Sequence, residues 1–327
     1  MPILDARHDR AHPVEGDSAW SESYYFNCYD PVTDAGFFTR LGVRPNEGTM
    51  DLGMSVWLPG GELAQSRGVR PTHEMVDTGL EVDGVTYERL DDGRRWRISG
   101  ERDSFVRRLD GSDSSRAATV RFDVSFDALT PMIGADGQGT EGSGASAKTR
   151  GTVGKGHLEQ AGRWTGWIEA DDVRVELAQA RGNRDKSWGP RRWGGPRMWR
   201  WFSVNLGDEI AFGGIRIGTD EGDLHRGWVY KDGEATSIEQ WRVETTLEAD
   251  GTTHAATRAT VLDKRGRQHV LEGTMLRVAP HLNPGEGGAT LVNEGLARWE
   301  HDGMVGYGIS EYLHQLDAEG QPLVPIE

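Results

Sequence analysis

Residues 118–129, ATVRFDVSFDAL, set Val120, Phe122, Val124 and Phe126 in strict alternation with Arg121, Asp123, Ser125 and Asp127. A period of two is the repeat of a pleated strand with one face on a core and the other in water. The same pattern extends outward along the chain. LEVDGVTYERL (80–90) has two arms around a two-residue turn, and in WRVETTLEADGTTHAATRATVL (241–262) Val243, Thr245 and Leu247 share a face opposite Arg242, Glu244 and Glu248. Asp-Gly recurs at 83, 92, 110, 136, 232, 250 and 302. That dipeptide tolerates the positive φ of tight hairpin turns, so copies between alternating residues predict β-hairpins. Capped helical periodicity is scarce, and 45 Gly argue for many tight connections. Many strands, short turns and little helix select a sandwich or barrel over a βαβ fold.

At 327 residues the chain can hold one large β domain or two smaller ones. Twelve Trp, 8 Phe and 7 Tyr supply the apolar surface a core needs. The single cysteine, Cys28, rules out an intrachain disulfide and a cysteine-based metal cluster, which fits a reducing, cytoplasmic setting. The first twenty residues are charged and broken by Pro, unlike a signal peptide, and no later run is long enough for a membrane span. A formal net charge of −15 disfavours nucleic acid or an anionic membrane as partner.

One composition break stands out. Residues 131–156 carry eight Gly, no aromatic residue and no periodicity, and read as a flexible loop: a surface insertion or a lid.

The opposite kind of segment lies at 181–201, RGNRDKSWGPRRWGGPRMWRW, with seven Lys/Arg, one acid and four Trp in an acidic chain. Six Trp (164, 167, 188, 193, 199 and 201) fall within 38 residues, and indole faces beside Arg suit a cation or a flat apolar ligand. Carrying the alternation of Val173, Val175 and Leu177 forward puts Asp185 on the apolar face, with Arg184 and Lys186 opposite. An Asp paired with Arg stays a carboxylate; one enclosed by indoles has its pKa raised and can donate a proton. Asp185 is therefore either an acid or half of a structural ion pair.

Walker A, GxSxG, HExxH and paired CxxC signatures are absent, GGIRIG (213–218) lacks the GxGxxG spacing, and the ten His are scattered. No cofactor and no metal are expected.

On these residues the chain resembles the two-domain, lipocalin-like β proteins that include hydroxyneurosporene synthase, a carotenoid hydratase, and kievitone hydratase-type enzymes. NRDKSWGPRRW resembles that family's Asp-x-x-Trp-Gly signature, supported by WSESYYFNCYDP, GFFTRLGVRPNEG, HLEQAGRWTG and GMVGYGISEYLHQL. The resemblance implies an all-β fold of two consecutive calycin-type antiparallel barrels or half-open barrels, expected over 1–178 and 179–327. It nominates Asp185, Trp188 and Arg184, then His157, Glu159 and Gln160. The chain departs from the pattern at Lys186 and Arg192, where the family leads one to expect His and Asp. With the aromatic and basic side chains of the segment, the expected site has Asp185, His157 and Glu159 as catalytic groups. Trp188, Arg184, Arg191, Trp193, Trp199, Trp201 and Gln160 would hold the substrate.

The expected activity is that of a cofactor-independent lyase or isomerase (hydratase, dehydratase or double-bond isomerase) acting by acid catalysis on a hydrophobic small molecule such as a terpenoid, steroid or aromatic intermediate. The alternative is a lipocalin-like carrier or sensor of an apolar acid. Edge strands leave a homodimer open.

Overall fold

The computed structural model describes residues 3–110, 112, 114–138, 145–285 and 287–327. Its strands are β1 (Trp20–Asp30), β2 (Ala35–Arg44), β3 (Thr49–Leu58), β4 (Glu62–Pro71), β5 (Leu80–Val82), β6 (Val85–Asp91), β7 (Arg95–Arg108), β8 (Ser115–Ala128) and β9 (Ile133–Ala135), then a helix α1 (Ala145–Thr152). There follow β10 (Gly156–Ala170), β11 (Val173–Glu176), β12 (Arg181–Pro190), β13 (Met198–Asn205), β14 (Ile210–Thr219), β15 (Gly222–Lys231) and β16 (Glu234–Leu247). The last four are β17 (His254–Asp263), β18 (Gln268–Gly285), β19 (Gly288–His301) and β20 (Met304–Leu316). The chain is all-β with two compact units, the first made of Leu4–Met132 and Gly156–Pro190, the second of Ile133–Lys155 and Arg191–Glu327.

In the first unit, antiparallel pairings run β1–β2–β3–β4–β7–β8–β10–β12 and return to β1, closing a barrel. The β4–β7 seam is short, Glu62↔Arg108 to Gln65↔Phe105, because β7 pairs farther along with β6. The alternating face of β8 fills the interior: Val120, Phe122, Val124 and Phe126 pack with Phe26, Trp96 and Trp164. Closure of the barrel satisfies the backbone groups that an open sheet would leave at its edges. The second unit is a closed barrel of β13 to β20 in sequence order around Phe202, Trp241, Trp299 and Tyr312.

The expected hairpins form. Asp83, Asp232 and Asp302 adopt φ of 49°, 52° and 47°, and their following glycines lie at 83°, 83° and 79°. Both central residues are left-handed, the turn whose twist matches the flanking strands.

Two expectations on organisation change. The boundary expected at 178/179 would place β12 in the second domain, yet β12 is flanked by β1 and β10 and completes the first barrel. Within the Gly-rich stretch 131–156, residues 145–152 form α1, which packs against β14 and β15, and residues 139–144 lie outside the described residues, so the lid reading of that part does too.

Candidate functional site

The segment singled out in the sequence is divided by β12 between the two faces of the first barrel. Arg184 lies opposite Phe26 and Gln160, and Lys186 opposite Tyr24 and Leu158, so these side chains share the inner face. Asp185 lies opposite Tyr25 and Glu159 on the outer face. This reverses the expected alternation. The phase of β11 does not carry into β12 because the strand breaks over 177–180, where Asp30 Oδ2 accepts the backbone N–H groups of Ala178 and of Gln179, the latter at 2.8 Å. A carboxylate that holds two consecutive amides fixes a turn.

The inner face carries paired charges, with Arg184 Nη2 and Tyr24 Oη buried without a hydrogen-bond partner. Arg184 bonds Asp9 through Nη1 at 2.7 Å, both side chains being no more than 1% exposed, and its Nε donates to Gln160 Oε1 at 2.8 Å. Asp9 Oδ2 accepts from the Gly93 amide at 2.6 Å and from Trp96 Nε1 at 3.2 Å. Lys186 pairs with Glu22 and donates to the carbonyls of His8 (2.9 Å) and Arg10 (2.7 Å). Glu22 Oε1 also bonds His12 Nδ1 at 2.9 Å. Burial pushes the Lys186 ammonium down from its ordinary value, and Glu22 partly opposes that. The His12 ring stacks on Trp188 with centroids 3.8 Å apart.

These partners arrive on residues 4–12, whose short 3-10 turn (Ala6–Asp9) is capped by Asp5 accepting from the Arg7 amide at 2.9 Å. The segment plugs one end of the barrel. Gly156 lies opposite Trp188, where a Cβ would come within 2.0 Å of the indole; glycine lets the ring lie flat across the strand. Arg184 and Trp188, expected to bind substrate, are thus engaged by residues 4–12, and Gln160 by Arg184 and the carbonyls of Gly93 and Thr130. The sequence reading passed over Asp9, His12, Glu22 and Tyr24. The signal available was RHDRAH at 7–12, where ionisable residues dominate.

The outer face holds the other nominees. His157 Nε2 and Glu159 Oε1 are hydrogen bonded at 3.0 Å, and Glu159 is the cross-strand partner of Asp185. Residues directly opposite in an antiparallel pair hold their Cβ atoms about 4.5–5.5 Å apart, so the two carboxyl groups and the imidazole form one row. Glu159 is buried, Asp185 half-buried and His157 partly exposed. Two residues along on the same face, Asn27 and Asn183 lie opposite each other, both buried, and the Nδ2 of each lacks a hydrogen-bond partner. Buried amides with spare donors beside an acid–base row are a place where a polar ligand atom can be received.

Arg191, Trp193, Trp199 and Trp201 belong to the second unit. The Arg191 guanidinium lies over Trp193 (4.7 Å) and Trp199 (5.3 Å), and Trp199 Nε1 donates to Glu311 Oε1 at 2.5 Å. Trp201 sits opposite Glu311 on the same face. His301 and His314 occupy different ends of the β19–β20 pair, opposite Met304 and Leu291. Among the described residues no three His, Cys, Asp or Glu side chains are placed to hold a metal ion, and no helix is long and apolar enough to cross a membrane.

Closed β-barrel architecture in both units, with an acid–base row on one outer face, defines a two-barrel, lipocalin-like β protein. The chain belongs to the family described as a domain of unknown function (DUF7064), whose model matches residues 5–316. No curated protein matches it. Among solved structures it is similar to a Nitrosomonas europaea protein described as a candidate AttH, at 16% identity and TM-score 0.65, covering 95% of this chain and 96% of that one. It is similar to CghA, solved with Sch210972, at 12% identity and TM-score 0.58, covering 91% and 89%. Kievitone hydratase from Nectria haematococca matches at 14% identity and TM-score 0.55, covering 92% and 93%. The two-barrel fold that the resemblance implied is therefore shared across nearly the whole chain.

Proposed function

We propose that this protein is a hydratase or lyase-type enzyme that works without a cofactor on a hydrophobic small molecule, using the outer-face row His157, Glu159 and Asp185. The observation that carries the reading is the 3.0 Å His157–Glu159 hydrogen bond next to the cross-strand carboxyl of Asp185. The cross-strand register sets the two carboxyl groups side by side on one face, where both can reach one ligand. One member is then a proton donor, and the other, backed by His157, an acceptor. In the hydration direction Asp185 protonates an alkene carbon, water adds to the adjacent cationic centre, and Glu159 with His157 takes the proton that water releases. Dehydration runs the same steps backward: Glu159 with His157 protonates the departing hydroxyl, water leaves, and Asp185 takes the proton from the adjacent carbon. The fold likeness to kievitone hydratase supports the reaction class, and the spare Asn27 and Asn183 amides supply a hold for a polar substituent.

The test incubates the full-length protein with terpenoid, steroid and phenolic alkenes and with their hydrated counterparts, following gain or loss of one water by mass spectrometry. Asp185→Asn and Glu159→Gln should each lower turnover by about a hundredfold or more while leaving the melting temperature close to wild type. Turnover that survives both substitutions, or no turnover on any member of the panel, overturns the assignment.

A further inference from the structure

The second barrel contains a group that the catalytic proposal leaves unused. Arg200 projects inward from β13 on the same face as Phe202 and Val204, and is 3% exposed. Its guanidinium lies 4.1 Å over the Tyr312 ring, and Nη1 donates to the Trp199 carbonyl at 2.8 Å. No carboxylate is within ion-pairing distance of it among the described residues. The Glu327 carboxylate acts on it across space but is bonded to Arg216, and a buried cation short of counter-charge is costly, kept chiefly where a ligand or ion supplies more of it.

The groups around it have spare hydrogen-bonding capacity. Both ring nitrogens of His314, Nδ1 of His254, Oγ of Ser310 and Oδ1 of Asn293 are buried without a partner. His314, Tyr312 and Ser310 alternate along β20 on the face of Arg200, with Asn293 directly opposite Tyr312. His254 stacks on Tyr312 at 4.0 Å and 4°, and Tyr312 Oη is held by Thr245 (2.7 Å) and Thr257 (3.0 Å). Burial and the charge of Arg200 hold His254 down to about 4 and His314 to about 3, so both rings are neutral near pH 7; His254 gives its one N–H, at Nε2, to the Ser310 carbonyl, and His314 keeps one N–H to offer. The neighbouring Arg216 is already answered by Asp223 (2.7 Å) and Glu327 (2.6 Å).

We infer that Arg200, Tyr312, His314 and Ser310 form a binding site inside the second barrel for a small organic carboxylate. One guanidinium matches one negative charge, its planar fork matches two carboxylate oxygens, and the neutral imidazole and hydroxyl donors complete the shell. Phe202, Trp241 and Trp299 give the adjoining wall an apolar character suited to the hydrocarbon part. The site lies in the other unit from the row His157, Glu159 and Asp185, and stands or falls independently of it.

Titration calorimetry on the full-length protein with phenylacetate and hexanoate, against phenylacetamide and hexanamide, tests this. Each acid should bind at least about tenfold more tightly than its amide, because only the acid supplies the charge that Arg200 lacks. Arg200→Met should remove the difference, and Asp185→Asn should leave it intact. If Arg200→Met does not fold by circular dichroism, Ser310→Ala takes its place and should weaken the acids selectively, with a smaller change. Equal binding of acid and amide, an acid preference untouched by substitution at 200 or 310, or no binding of any probe, as for a chamber filled by water alone, overturns the proposal.

Discussion

The two barrels handle buried charge in opposite ways. In the first, Arg184 meets Asp9 and Gln160 with its Nη2 left over, and Lys186 meets Glu22 and two carbonyls of the plug segment. In the second, Arg200 has a ring face and one carbonyl but no carboxylate within ion-pairing distance among the described residues, and its neighbours carry orphaned polar atoms. A paired network spends its charges on holding one segment in one place. An open one leaves them available to something that arrives later. Closely similar architecture therefore does not imply the same use of an interior, and the signature residues of β12 illustrate the point: their inner half is structural, while their outer half faces the acid–base row.

The sharpest way to break this comparison is to delete both arginines. Arg184→Met leaves Asp9 as an uncompensated charge that is 0% exposed, a situation that costs about 3–5 kcal/mol. Arg200→Met removes an unpaired cation and fills its space with apolar atoms, so the change in unfolding free energy should stay within about 1 kcal/mol of zero, of either sign. Urea denaturation of the two variants measures the contrast. Comparable losses would mean that Arg200 is as structurally committed as Arg184.

A smaller difference should emerge from acid titration. His254 has a folded-state value near 4 against an ordinary 6.5, so the unfolded chain binds more protons between those limits. Stability must then fall as pH drops from about 6.5 towards 4, by on the order of 2–3 kcal/mol for this one group. The groups facing it are Tyr312, the Ser310 carbonyl and Arg200, and Arg200 adds to the lowering. Replacing His254 by Asn should flatten the stability profile over that window relative to wild type, read from denaturation midpoints at pH 4.5 and 7. An unchanged slope would remove His254 from the acid response of the second barrel.

Much of the fold was legible because it rests on local rules. The alternation of 118–129 named the inward face of β8 residue by residue, and Asp-Gly located hairpins at 83, 232 and 302. Arg200 was legible too, in retrospect: in MWRWFSVN it shares parity with Phe202 and Val204, and a cation on an apolar face is a signal in itself. What was hidden depends on long-range pairing. The phase of β12 is set by its neighbours β1 and β10 and by the break that Asp30 stabilises, some 150 residues distant in sequence. Asp9 and Arg184 are separated by 175 positions, and no period or motif links them. The fold brings the nominees His157 and Glu159 together, while the alternation expected for NRDKSW is reversed, Arg184 and Lys186 facing the core in place of Asp185.

The finest test asks whether the barrels agree where sequence says they should, at their turns. Gly84 and Gly303 are the second central residues of matching Asp-Gly turns, with φ of 83° and 79°. Alanine at either position meets the left-handed penalty, about 1 kcal/mol. Around Gly303 no atom lies within 4 Å of an added Cβ, whereas at Gly84 the Glu101 carbonyl oxygen would lie at 3.2 Å. Gly84→Ala should therefore cost slightly more than Gly303→Ala, both near 1 kcal/mol in thermal or urea unfolding. A loss at Gly303 well above that at Gly84 would show that the β19–β20 hairpin, which carries Asn293, Ser310, Tyr312 and His314, tolerates less distortion than its backbone geometry requires. That outcome would point to a second barrel already rigid around Arg200 and its polar neighbours, and would count against its receiving a carboxylate ligand.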